Sequence, residues 1–128
     1  MALSTPLYAG LLAVLFLFLS WQVIALRQRR NLSVGDGGDA AMLKAVRVQA
    51  NCAEYSGLGL ILLLLAELQG APGWLIHGLG ATLLAGRVLH AVGMGRSPQI
   101  MPARVAGMIL TLSMIGIAAI ANIGHSIF

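Results

Sequence analysis

The chain has 128 residues, of which 59% are hydrophobic and only 9% charged, and its mean hydropathy is +0.89. A soluble domain of this size normally carries ~25–35% charged residues at its surface, so the composition argues against a soluble globular fold, and its apolarity argues against disorder. Eight Lys and Arg against four Asp and Glu leave a net charge of +4, yet the cations are few and lie beside apolar runs, with no basic helix face or aromatic platform for nucleic acid.

In a membrane protein the same cations act as topology signals. Four apolar segments of ~20 residues fit the chain and leave room only for short loops. The expected architecture is therefore all-α: an integral-membrane, antiparallel up-down four-helix bundle forming one domain over 1–128, with spans at about 6–26, 40–68, 74–92 and 102–128. Thr5 is placed to cap the first span, and Pro6 suits its first turn. Trp21 sits toward the far interface. The span has no basic flank before it and ends at Arg27 rather than at a small-residue cleavage site, unlike a signal peptide. The loop 27–39 holds Arg27, Arg29, Arg30 and a glycine-rich turn, and Asp39 is the expected N-cap of the second span. Gln69-Gly70-Ala71-Pro72-Gly73 reads as a tight uncharged turn. A short loop over 93–101, with Arg96 and Pro98, precedes the fourth span, which is expected to fray near His125.

All eight Lys and Arg residues fall in or near the 1–2 and 3–4 loops. The positive-inside rule then places both basic loops in the cytoplasm and both termini outside. Small residues recur at helical spacing, with Gly78, Ala81 and Ala85 in the third span and Ala103, Gly107 and Gly116 in the fourth. Such residues allow close helix approach in lipid, although glycine and alanine are common in membrane helices in any case.

The chemistry concentrates in the second span. On a helix, Arg47, Asn51, Glu54 and Tyr55 fall within an arc of about 100°. Lys44 extends that face, while Gln49 and Cys52 point elsewhere. Glu54 lies roughly 15 Å in from Lys44, too deep to reach water, and an ionised group there costs roughly 2.5–3.5 kcal/mol unless it meets protein, ligand or a wet cavity. Arg47 is about 10 Å away along the same helix, which disfavours a direct bridge. Arg87, roughly 12 Å deep on the antiparallel third span, is the expected partner of Glu54 or shares a ligand with it, and His90 lies on the same face one turn nearer the cytoplasm. An ion pair that only fixes helix register also explains Glu54 with Arg87, but it does not require five polar groups on one stripe.

The pattern Arg47-x-x-x-Asn51-x-x-Glu54-Tyr55, with Gly86-Arg87-x-x-His90-Ala91-x-Gly93 ending the third span, resembles the MAPEG family, the membrane-associated proteins of eicosanoid and glutathione metabolism. The Gly35–Gly38 run and His90 resemble its small bacterial branch. The resemblance implies a left-handed four-helix subunit assembled as a homotrimer in the bacterial inner membrane, with glutathione held between neighbouring subunits near the cytoplasmic side and a lipophilic small molecule or lipid as its second partner. It maps Arg47, Asn51, Glu54, Tyr55, Arg87 and Gln49 onto glutathione-binding positions and Arg27 onto a basic residue ending the first helix; His90 is added as a further candidate. Arginines grip carboxylates, Glu54 suits the ammonium group, and a nearby guanidinium favours the thiolate. The catalytic arginine that family members carry near the start of the fourth helix falls at Met101 here. Arg104, one turn later, is the candidate replacement.

The remaining polar residues have plainer expectations. No His, Asp or Glu spacing suggests a metal or haem site, and Cys52 is a packing residue. Glu67 is expected to be solvated at the outer end of its helix, with His77 and His125 at the outer interface. The function expected from the sequence is a glutathione transferase or peroxidase acting on lipophilic electrophiles. The alternatives are a non-catalytic scaffold of the same fold that binds a lipid or partner, favoured by Met101, and a small proton-coupled transporter using Glu54.

Overall fold

The computed structural model describes residues 3–128. They form four α-helices: α1 Thr5–Arg30, α2 Ala40–Leu68, α3 Gly73–Gly95 and α4 Met101–Ile127. Each is long and apolar enough to cross a membrane, and the described residues contain no β-strand. Helix α2 has the expected bounds, and α3 runs about one turn further than its apolar core. Helix α1 also continues a turn beyond its apolar run. Arg27, Arg29 and Arg30 fill its last turn, where cations complement the helix dipole. Asn31 then takes a left-handed φ of 53°, and the Leu32 N–H closes back on the Arg27 carbonyl at 3.0 Å. Three positive-φ glycines, Gly35, Gly37 and Gly38, turn the loop toward Asp39. The Asp39 carboxylate caps α2 by accepting from the Ala41 and Met42 N–H groups at 2.9 and 3.1 Å, and it pairs with Arg30 at 3.0 Å.

The start of α1 departs from expectation. Ser4, not Thr5, is the N-cap residue, and its side chain makes no cap hydrogen bond. The cap comes from α2: Glu67 accepts from the Ser4 and Thr5 N–H groups at 2.5 and 2.9 Å and is only 6% exposed. Glu67 is therefore buried rather than solvated. The antiparallel pairing of α1 and α2 brings the last turn of one beside the first turn of the other. Free N–H groups in a membrane cost several kcal/mol each, so the acid is drawn onto them. His77 is likewise engaged, because the Tyr8 hydroxyl lies 2.9 Å from its Nδ1.

The core runs along the bundle in two patches. Tyr8, Leu12, Leu63, Ile76, Leu83 and Met114 pack at the end away from the basic loops, and Leu19, Val48, Cys52 and Ala91 pack toward the basic end. Large apolar side chains such as Leu17 and Ile120 are exposed, as a lipid-facing surface requires.

Helices α3 and α4 approach most closely at glycines. A Cβ at Gly86 would meet Thr111 Oγ1 at 2.7 Å; one at Gly107 would strike the His90 backbone, and one at Gly93 the Arg104 backbone. Gly107 was legible as a packing glycine. Gly78 and Gly116 mark no close approach between helices of the bundle, since nothing in the chain lies within 4 Å of a Cβ at either. Those two sit on outward faces of the bundle, where small size serves no contact between its own helices.

Candidate functional site

The polar arc of α2 is divided between two environments. Taking Arg47 as zero on the helical wheel, Asn51 and Tyr55 fall at about 40° and 80°, beside the buried positions Val48 and Cys52 at about 100° and 140°. That edge faces α3 and α4. Glu54 falls at about −20°, next to Arg47, and this edge faces out of the bundle: the two side chains are 54% and 46% exposed.

At the inner edge lies Arg87, only 1% exposed. Its Nε donates to Thr111 Oγ1 at 2.9 Å. Its Nη1 donates to Asn51 Oδ1 at 2.5 Å and to the Asn51 carbonyl at 3.3 Å, and Nη2 reaches Met108 Sδ at 3.5 Å. The guanidinium carbon stands 5.2 Å from the centroid of the Tyr55 ring, within cation–π range. Thr111 completes the chain by donating to the Gly107 carbonyl at 2.8 Å. Every partner of this buried cation is therefore neutral, although burying an isolated charge is strongly unfavourable.

The expected contact between Glu54 and Arg87 is not formed. Glu54 is rotated about 60° from Asn51, enough to take it off the α3 side. Its partner is Arg47, at 3.5 Å. Axial distance alone disfavours that bridge, but rotation about the helix axis favours it. The two residues lie within about 20° on the wheel, and the long arginine side chain covers the two turns between them.

The other candidates are placed separately. His90 is buried on α3, one turn from Arg87, with its backbone against Gly107. Arg104 lies a further turn toward the basic end, its backbone against Gly93, and its Nη1 donates to Gln99 Oε1 at 2.9 Å. Gln49 turns to α1 and donates to Ser20 Oγ at 3.0 Å. Arg27 donates to the Gly35 carbonyl at 2.6 Å and so holds the first loop. Met101 is exposed. The structure thus unites Asn51, Tyr55 and Arg87 and pairs Arg47 with Glu54 on the adjoining face. It leaves Gln49, Arg27 and Arg104 with other partners.

Sequence reasoning missed Thr111 and Met108. Both lie in an apolar run of α4. The available signal was that Thr111 falls one helical turn from Gly107, on the side that must face α3.

The MAPEG family model matches residues 5–124. The chain is also 34% identical over 121 residues to the inner membrane protein YecN of Escherichia coli strain K12, an alignment that covers 94% of this chain and 91% of that one. YecN of Escherichia coli O6:H1 matches to the same extent.

Proposed function

The chain belongs to the MAPEG family, and from that premise we propose that it is an integral inner-membrane protein that binds glutathione and uses it on lipophilic electrophiles as a transferase or peroxidase. The single observation that carries this reading is the state of Arg87: a fully buried guanidinium held only by Asn51, Thr111, Met108 and the Tyr55 ring, without a carboxylate. Its charge is left for an anionic ligand. Beside it, Arg47 and Glu54 expose opposite charges on a membrane-spanning helix. Charge exposed at that depth calls for cover by ligand or protein, and a homotrimer with the ligand between subunits supplies both.

The donor set fits a tripeptide with two carboxylates and one ammonium group. Arg47 and Arg87 suit the carboxylates, and Glu54 suits the amine. A thiol with an ordinary pKa near 8.5 is shifted toward thiolate by a neighbouring guanidinium. That positions the sulfur for attack on an electrophile entering from the bilayer. Both basic loops face the cytoplasm in this proposal, which puts the site within reach of cytoplasmic glutathione.

A second reading, binding without turnover, is favoured by the start of α4. Met101 occupies the place of the family's activating arginine, and Arg104 is engaged by Gln99. Stopped-flow detection of thiolate on adding glutathione separates the two. In the wild type, glutathione is expected to raise the unfolding midpoint, with the increase lost in Arg47→Ala and Glu54→Gln. Thiolate formation that disappears in Arg104→Ala supports catalysis, whereas stabilisation without thiolate supports the scaffold. Equal melting with and without millimolar glutathione refutes glutathione binding and leaves only a scaffold that holds a lipid or protein partner.

A further inference from the structure

A concavity lies about 100° around α2 from the exposed Arg47–Glu54 pair. Helices α1, α2 and α3 leave between them a groove of about 650 Å³. Its lower walls are apolar, with Leu15 and Phe18 from α1, Val48 from α2 and Val88 from α3. Its mouth is formed by Arg29, Lys44 and Arg96, each from a different segment, and no acidic residue lines it. The only ion pairs among the described residues are Arg30–Asp39 and Arg47–Glu54, so neither Arg29 nor Arg96 has an acidic partner. Lys44 is held in place by donating to the Arg96 carbonyl at 3.0 Å and to the Ser97 hydroxyl.

From Leu15 to Arg29 the groove extends about 21 Å along α1. One leaflet of a bilayer contributes about 15 Å of hydrocarbon. The apolar part thus has the depth of a single leaflet, and the cations stand where lipid headgroups lie. We propose that this groove is a binding site for one anionic phospholipid of the surrounding leaflet, with its phosphate among Arg29, Lys44 and Arg96 and an acyl chain along Leu15, Phe18 and Val88.

Charge and shape together select this occupant. Basic pockets between membrane helices bind anionic headgroups. A zwitterionic lipid would bring an ammonium group to a mouth that offers it no carboxylate. A free phosphate would leave the apolar walls uncovered. The proposal does not depend on glutathione binding, because the residues are different and the groove opens on another face.

Trp21 lines the groove and supplies the reporter. The chain has two tryptophans, so Trp74→Phe leaves Trp21 as the only one. The full chain in this background is placed in phosphatidylcholine bilayers containing a small fraction of either brominated phosphatidylglycerol or brominated phosphatidylcholine. Trp21 is expected to be quenched more strongly by the brominated anionic lipid. Each guanidinium removed should weaken the preference about fivefold, so Arg29→Gln with Arg96→Gln should weaken it about 25-fold, while Arg29→Lys with Arg96→Lys retains it. Ala45→Phe with Val92→Phe fills the groove without altering its charge and should abolish the excess. Helicity and detergent elution matching the parent qualify each variant, and the lysine pair gives a charge test in which the mouth stays occupied by cations. Equal quenching by the two lipids overturns the proposal. So does an excess that survives both the glutamine pair and the filled groove, or an absence of quenching by either lipid, as a second copy covering the groove would produce.

Discussion

Thr111→Val is the sharpest probe of how Arg87 is held. The substitution keeps the shape of the side chain and removes its hydroxyl oxygen. In the parent that oxygen accepts from Arg87 Nε at 2.9 Å while its own proton goes to the Gly107 carbonyl. Valine leaves Nε without an acceptor in a site where Arg87 is 1% exposed. Hydrogen bonds to charged groups contribute about 1.5–3 kcal/mol, whereas neutral interhelical bonds in membranes average about 0.6 kcal/mol. The two ranges barely overlap, so the measured value identifies which kind of bond is present. A double-mutant cycle with Arg87→Met isolates it from the lost Gly107 bond. The assay is equilibrium unfolding in mixed micelles, followed by helical circular dichroism. The expected coupling is about 1.5–3 kcal/mol, with Thr111→Val costing little once Arg87 is absent. A coupling at or below about 0.6 kcal/mol refutes the view that Thr111 holds a buried charge. The same substitution frees one side of the guanidinium and should reduce the glutathione-dependent rise in midpoint.

Two further outcomes follow from the helix contacts. Glu67→Ala removes the cap that α2 supplies to α1 and should cost about 2–4 kcal/mol, since two N–H donors lose a charged acceptor; faster amide exchange at Ser4 and Thr5 checks the location, and Glu67→Gln should lose less. Gly107→Ala pushes a Cβ into the His90 backbone and should cost about 1–3 kcal/mol by overpacking. Gly116→Ala, with open space around it, should be neutral or stabilise by up to about 1 kcal/mol through helix propensity. Matched unfolding curves for the two alanine variants decide the point, and equal costs would contradict the close approach of α3 and α4.

The polar stripe of the candidate site was legible because chemistry and period coincide on α2. Four polar groups within one arc of a membrane helix cannot all face lipid, and the wheel correctly separated Cys52 and Gln49 from them. The partner assignment failed at finer scale. Glu54 and Asn51 differ by about 60°, less than the width of the arc, yet this rotation sends one to Arg47 and the other to Arg87. Glu67 was misjudged because its sequence position, at a helix end beside a turn, matches that of a solvated acid. Its carboxylate is instead fixed by the first turn of a helix more than sixty residues away.

By itself the amino-acid order determined the elements: hydropathy and length set four spans, the cations and glycines set the loops between them, and Asp39 set the start of α2, because each of these depends on interactions within a few residues. Only the tertiary structure decided how the helices are rotated and how closely they approach. Gly86 and Gly107 bring α3 against α4, and that contact delivers Thr111 to Arg87. Rotation about a helix axis changes no local energy, so it is fixed by packing between residues far apart in the chain.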